Sequence, residues 1–162
     1  MTEKFVMAQQ NLPDGILHDQ HLYNISFENR VLILSFEIQY FSDMQGNAFC
    51  ERYRDFTKCH VKCRLEEESV DFSNVELITS LNDKFKAKYK LLTISDFVRS
   101  ANQQIHKAKE GKDYLWEYGY TYVSPNINSA VIELSISLKY GRTEYSMCRM
   151  ELNTREMEFV WE

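Results

Sequence analysis

Residues 31–40 read Val-Leu-Ile-Leu-Ser-Phe-Glu-Ile-Gln-Tyr, and the spacing within this stretch decides the fold. Leu32, Leu34, Phe36, Ile38 and Tyr40 fall on alternate positions, so an extended chain carries all five on one face. That is the two-residue period of a strand with one side buried; a helix would scatter the same side chains around its axis. Just before it, Glu28-Asn29-Arg30 reads as a hairpin turn, and Leu22 to Glu28 places Tyr23, Ile25 and Phe27 on one face. The first half therefore opens on an antiparallel hairpin.

The same period extends outward. Residues 57–66 alternate Cys59, Val61, Cys63 and Leu65 with Lys58, His60, Lys62 and Arg64. An acidic turn at Glu66-Glu67-Glu68 leads to a strand near Val70 to Ile78, and Lys84 to Thr93 sets lysines against Phe85, Ala87, Tyr89 and Leu91. Further strands are expected at 114–123, 130–139, 144–152 and 156–161, separated by turns at Ser124-Pro125-Asn126, Tyr140-Gly141-Arg142 and Asn153-Thr154-Arg155. Pro13-Asp14-Gly15 is a turn ahead of the first strand, and 42–55 reads as a loop or irregular edge. One helix is expected near 95–110. Ser95 is its N-cap, Asp96 lies in its first turn, Phe97, Val98, Ala101, Ile105 and Ala108 recur at helical spacing, and Gly111 is its C-cap. The expected fold is a β-dominated α+β domain over residues 1–162, with antiparallel sheets of about eight or nine strands arranged as a sandwich or barrel.

The stretch 31–40 has an echo. Val131-Ile-Glu-Leu-Ser-Ile-Ser-Leu-Lys-Tyr140 matches it in Val, Leu, Ser and Tyr, and Cys148-Arg149-Met150-Glu151 matches Cys63-Arg64-Leu65-Glu66. Met157-Glu158-Phe159 then matches Val70-Asp71-Phe72. The matches keep their order, with about fifteen extra residues before the cysteine of the first copy. They suggest two repeated β-meanders, 22–78 and 114–161, joined by 84–112. Amphipathic strands also resemble one another without common descent.

Composition narrows the function classes. No apolar run reaches the length of a membrane span, and the start lacks a signal-peptide core, so a cytoplasmic protein is expected. A net charge of −5 and a pI near 5.4 argue against nucleic-acid binding by the whole chain. The five glycines are isolated, so no phosphate-cradling loop is present, and no GxSxG elbow, HExxH or serine–lysine pair appears. No catalytic residue is expected, and no cofactor.

The four cysteines, Cys50, Cys59, Cys63 and Cys148, read as buried thiols. Cys59 and Cys63 sit four residues apart on a strand, about 13 Å, and cannot share a zinc ion that needs sulfur at about 2.3 Å. His18-Asp19-Gln20-His21 is the one histidine cluster, and it lacks further ligands at suitable spacing. No metal site is expected.

Two features could carry binding. Tyr114, Trp116, Tyr118, Tyr120 and Tyr122 alternate along one strand, forming either a stacking platform or a buried stripe. Residues 84–112 carry eight basic residues against Asp96 and Glu110, a charge of +6 that leaves −11 for the rest of the chain. Its lysines are either an anion-steering patch or a guard on an edge strand. The candidate ligand- or partner-binding residues are Trp116, Tyr118, Tyr120, Lys86, Lys88 and Lys90.

Leu17-His18-Asp19-Gln20-His21-Leu22, followed by Ile25 and the hairpin into Val31, resembles the HD-x-x-Leu start of several small bacterial families of unknown function. Some of those look like immunity proteins of polymorphic toxin systems. The likeness covers about 20 residues and implies a small cytoplasmic protein that binds another protein, with no catalytic residues. The leading expectation is thus a non-enzymatic bacterial interaction domain, immunity-like, with an unknown protein partner or a second copy of itself. The alternative is a small-ligand or nucleotide-binding protein, with or without catalysis, using the Tyr/Trp stripe and the basic segment.

Overall fold

A computed structural model describes residues 2–6, 17, 20–40, 45–66, 74–80, 86–110, 117–124, 129–154 and 157–162. Its strands are β1 (Glu3–Val6), β2 (His21–Glu28), β3 (Val31–Glu37), β4 (Lys58–Arg64), β5 (Asn74–Ile78), β6 (Tyr89–Thr93), β7 (Glu117–Ser124), β8 (Ser129–Tyr140), β9 (Thr143–Asn153) and β10 (Met157–Trp161). The helices are α1 (Ala48–Arg52) and α2 (Ile94–Glu110). Every described pairing is antiparallel, in the order β1-β10-β4-β3-β2-β7-β8-β9-β5-β6. The expected β-dominated α+β class holds. The additions are β1 and, within the expected loop at 42–55, α1.

The β2–β3 hairpin turns on Asn29 (φ 50°) and Arg30 (φ 63°). Both are left-handed, the backbone of a tight turn whose twist matches its strands. The Arg30 carbonyl is fixed by the Leu65 N–H at 2.8 Å. Within β2 the register shifts between Leu22, opposite Phe36, and Asn24, opposite Ser35. This bulge changes the buried set: Leu22 and Ile25 are buried, while Tyr23 and Phe27 are half-buried, in place of the expected face Tyr23, Ile25 and Phe27.

The sheet consists of two five-strand blocks with the same plan. In one the order is β2-β3-β4-β10-β1; in the other it is β7-β8-β9-β5-β6. Each half of the chain lends one strand, β5 or β10, to the other half's block. The bulge recurs in β7, between Tyr118 and Tyr120. Register then fixes the equivalences. Phe36 faces Leu22 and Cys59, as Leu134 faces Tyr118 and Cys148. Cys59 faces Trp161 and Cys148 faces Leu77. Phe36 thus corresponds to Leu134, Cys59 to Cys148 and Trp161 to Leu77. The sequence matches had paired Phe36 with Ile136 and Cys63 with Cys148, slips of two and four residues that leave the faces unchanged. The third match involves Val70-Asp71-Phe72, which lies outside the described residues; β5 pairs through Val75 and Leu77 instead.

The inward faces of both blocks share one core. Leu32, Leu34, Phe36, Cys59, Val61, Cys63, Phe159 and Trp161 meet Val75, Leu77, Ile132, Leu134, Cys148 and Met150, all fully or almost fully buried. Helix α2 adds Ile94, Phe97, Ala101 and Ile105 from one stripe. Its N-cap is Thr93, whose Oγ1 accepts from Asp96 N–H at 3.2 Å, and not Ser95. The helix bridges the blocks. Asn102 Oδ1 accepts from Ile25 N–H at 3.0 Å, and Asn102 Nδ2 donates to the Ile25 carbonyl. Gln104 clamps Lys139 in the same way, accepting from its N–H at 2.9 Å and donating to its carbonyl at 2.8 Å. Gln20, fully buried, does this to Gln39.

Candidate functional site

The terminal strand β6 departs from the sequence expectation most. Its register with β5 sets Leu92 opposite Val75 and Lys90 opposite Leu77, both partners completely buried. The alternation then turns Tyr89 and Leu91 outward, 62% and 64% exposed, where they are the exposed large hydrophobics among the described residues. The expected arrangement, apolar residues in and lysines out, is inverted. Lys90 occupies the inward row by laying its ammonium 4.3 Å from the centroid of the Tyr140 ring. Leu91 and Leu92 are neighbours, so either parity buries one leucine. The inward parity belongs to the leucine that continues into Ile94 and Phe97 of α2.

Across the outer surface, Tyr89 lies beside Ile78, and Ile78 beside Met147 on β9, both half-buried. Leu91 lies beside Glu76 and Glu76 beside Arg149. Lys86 and Lys88 are exposed just ahead of β6. The backbone there is anchored: Lys88 N–H donates to Thr79 Oγ1 at 2.9 Å, and Thr79 N–H to the Lys88 carbonyl at 3.1 Å. Among the described residues no strand covers the other edge of β6. An apolar row, two exposed cations and an edge without a strand partner among the described residues therefore coincide. Such an edge presents backbone N–H and C=O groups to any extended chain.

The structure separates the residues expected to bind. Trp116 lies outside the described residues. Tyr118 and Tyr120 lie on β7, where the register shift between them breaks the strict alternation on which a continuous five-ring stripe depends. β7 and β6 are the first and last strands of one block, with β8, β9 and β5 between them. The aromatic strand and the strand that carries Lys90 are therefore not hydrogen-bonded neighbours. Of the three lysines named from the sequence, Lys86 and Lys88 are exposed beside this surface and Lys90 turns to Tyr140; Tyr89 and Leu91 escape a sequence reading because their alternation looks like a buried face.

A second polar grouping lies on the outer surface of the other block. Ser35 Oγ is 2.8 Å from His60 Nδ1, and His60 Nε2 is 3.5 Å from Glu162 Oε2. Ser35 and His60 are cross-strand partners, and Glu162 is held by reciprocal backbone hydrogen bonds with Lys58, each 3.0 Å. The order serine–histidine–carboxylate is that of an activated nucleophile, but Ser35 is only 4% exposed. Burial, chiefly, pushes the nearby Tyr23 hydroxyl up from its ordinary range. The chain of contacts ties β3, β4 and the end of β10 together.

Among the described residues no three His, Cys, Asp or Glu side chains converge as metal ligands. Cys59 and Cys63 take inward positions on β4 on either side of Val61, and burial pushes both thiols up, Cys63 to about 12. His18 and Asp19 lie outside the described residues. No described helix is long and apolar enough to cross a membrane. Comparison with known protein families, with curated proteins and with solved structures finds no match.

Proposed function

We propose that the protein is a non-enzymatic interaction domain whose β6 edge receives an extended, acidic segment of a partner protein. The observation that carries this is the exposure of Tyr89 and Leu91, 62% and 64%, on a terminal strand with an open edge. Adding a strand there would satisfy the edge and cover both side chains. Lys86 and Lys88 select the partner's charge. A second copy of this chain would bring the same cations to the joint, so charge favours a different, acidic protein over a homodimer. The N-terminal resemblance to immunity-like families supports a bacterial, cytoplasmic role in which that partner is a toxin.

The test places a photo-crosslinking amino acid at position 89 in the native host and maps the captured peptide by mass spectrometry. The expected result is one acidic segment, lost when Leu91→Asp is added and weakened by Lys86→Glu with Lys88→Glu. Capture that survives these changes overturns the proposal, as does crosslinking to a second copy of the chain.

A further inference from the structure

The hydrogen-bond phase of β6 determines which backbone groups its outer edge offers. Thr79 N–H donates to the Lys88 carbonyl at 3.1 Å, and Lys88 N–H donates back to Thr79 Oγ1 at 2.9 Å. These two residues stand opposite one another when the β5–β6 register, in which Ile78 faces Tyr89, is carried one residue further. Along an antiparallel ladder, opposite pairs alternate between those that exchange hydrogen bonds and those that do not. Lys88, Lys90 and Leu92 therefore turn their backbone groups toward β5, while Tyr89 and Leu91 turn theirs away from it. No strand meets the N–H and C=O of Tyr89 and Leu91 among the described residues. The same two residues carry the exposed apolar side chains.

This coincidence sets the register of any strand added there. The two residues that come to lie opposite Tyr89 and Leu91 exchange backbone hydrogen bonds with them, and their own side chains fall on the outer surface beside Tyr89 and Leu91. Apolar side chains at those two positions cover that surface. The residue between them lies opposite Lys90, whose ammonium already rests on the Tyr140 ring, so no counter-charge is needed there. Lys88 and Lys86 follow, both exposed, and they call for carboxylates. Every described pairing in this sheet is antiparallel, and antiparallel ladders are slightly the more stable per residue. An antiparallel segment meets Leu91 first, then Tyr89, and then the two lysines.

We propose that the β6 edge selects a partner segment by the order of its residues: apolar, unrestricted, apolar, acidic, unrestricted, acidic, from N-terminus to C-terminus. The two apolar residues pair with Leu91 and Tyr89, and the two acidic ones come alongside Lys88 and Lys86. This selection rests on the reading of β6 as a docking edge and adds to it a direction, a register and a sequence pattern.

The probes are two end-capped peptides of equal composition and charge, Val-Thr-Val-Glu-Thr-Glu and its reverse, Glu-Thr-Glu-Val-Thr-Val. Each is titrated into the full chain labelled with nitrogen-15 while backbone amide signals are followed. The forward peptide is expected to shift the Tyr89 and Leu91 amides with a Kd below about 1 mM, and the reverse to bind about tenfold more weakly. Methylating the backbone nitrogen of the second valine removes the donor to the Tyr89 carbonyl and should weaken the forward peptide about tenfold. The same methyl group on the threonine between the valines points away from β6 and should change binding by less than about twofold. Equal or tighter binding of the reverse peptide overturns the proposed direction, and equal effects of the two methylations overturn the proposed register; in both cases docking at the edge still stands. If neither peptide shifts the Tyr89 and Leu91 amides, the selection and the docking edge fall together.

Discussion

His21 on β2 and Glu117 on β7 form the one described residue pair that joins the two blocks, and each is the first residue of its strand. Equivalent positions thus face one another, as they must at an internal twofold relation. The single pair leaves the rest of the β2 edge without a strand partner among the described residues. Helix α2 takes over there through Asn102, which satisfies both backbone groups of Ile25.

Asn102→Ala should therefore cost more than an ordinary helix substitution. It strands an N–H and a carbonyl on a residue that is completely buried. We expect a loss of about 3 kcal/mol in urea unfolding, against less than about 0.5 kcal/mol for Gln103→Ala on the exposed side. Equal losses would show that the clamp contributes nothing.

The parity of β6 can be read from two adjacent leucines. Leu92→Ala should destabilise by about 2–3 kcal/mol, because Leu92 is 8% exposed in the core. Leu91→Ser should change stability by less than about 0.5 kcal/mol. Denaturant midpoints compare the two, and the reverse ranking would restore the sequence-expected face.

Helix α2 offers a test of its cap. Thr93→Ala removes the acceptor for Asp96 N–H and should cost about 1 kcal/mol, with a lower melting temperature. Ser95→Ala should be within a few tenths of the original.

The buried thiols set an alkaline limit. Burial raises Cys59, Cys63 and Cys148 above the ordinary thiol value of 9.0, Cys63 to about 12. Between these values the unfolded chain releases protons that the native state retains, so native stability is intact below pH 9 and falls as pH rises toward 12. Urea midpoints at stepped alkaline pH should decline, and less steeply in Cys63→Ala measured against its own neutral value. Native thiols at these three positions should also resist alkylation at pH 8 until the protein is unfolded.

Much of the architecture was legible because its cause is local. The alternation in 31–40 and 57–66 gave strands whose inward rows, Leu32 to Phe36 and Cys59 to Cys63, are the core rows of the structure. The apolar stripe of α2 was equally plain. Thr93 was overlooked as the cap because Ser95 is an equally good capping residue by type, and the geometry of the preceding strand makes the choice. The lysines of the candidate site were noticed by charge. The apolar half of that surface was not, since an exposed Tyr89 and Leu91 differ from buried ones only in what lies against them.

What the chain determined alone is the period: two residues per repeat through most of its length, one helical stripe, and turns where Asn29-Arg30 and Gly141 permit them. Local backbone sterics and side-chain spacing are sufficient for that. Tertiary structure decided the rest. A shift of two or four residues keeps every face, so sequence similarity could not fix which residues of the two halves correspond. A strand bearing Leu91 beside Leu92 has two parities that each bury a leucine. The exchange of β5 and β10 between blocks depends on partners far apart in the chain. In each case the deciding energy is non-local packing: Leu92 against Val75, Trp161 beside Cys59, and Leu77 beside Cys148.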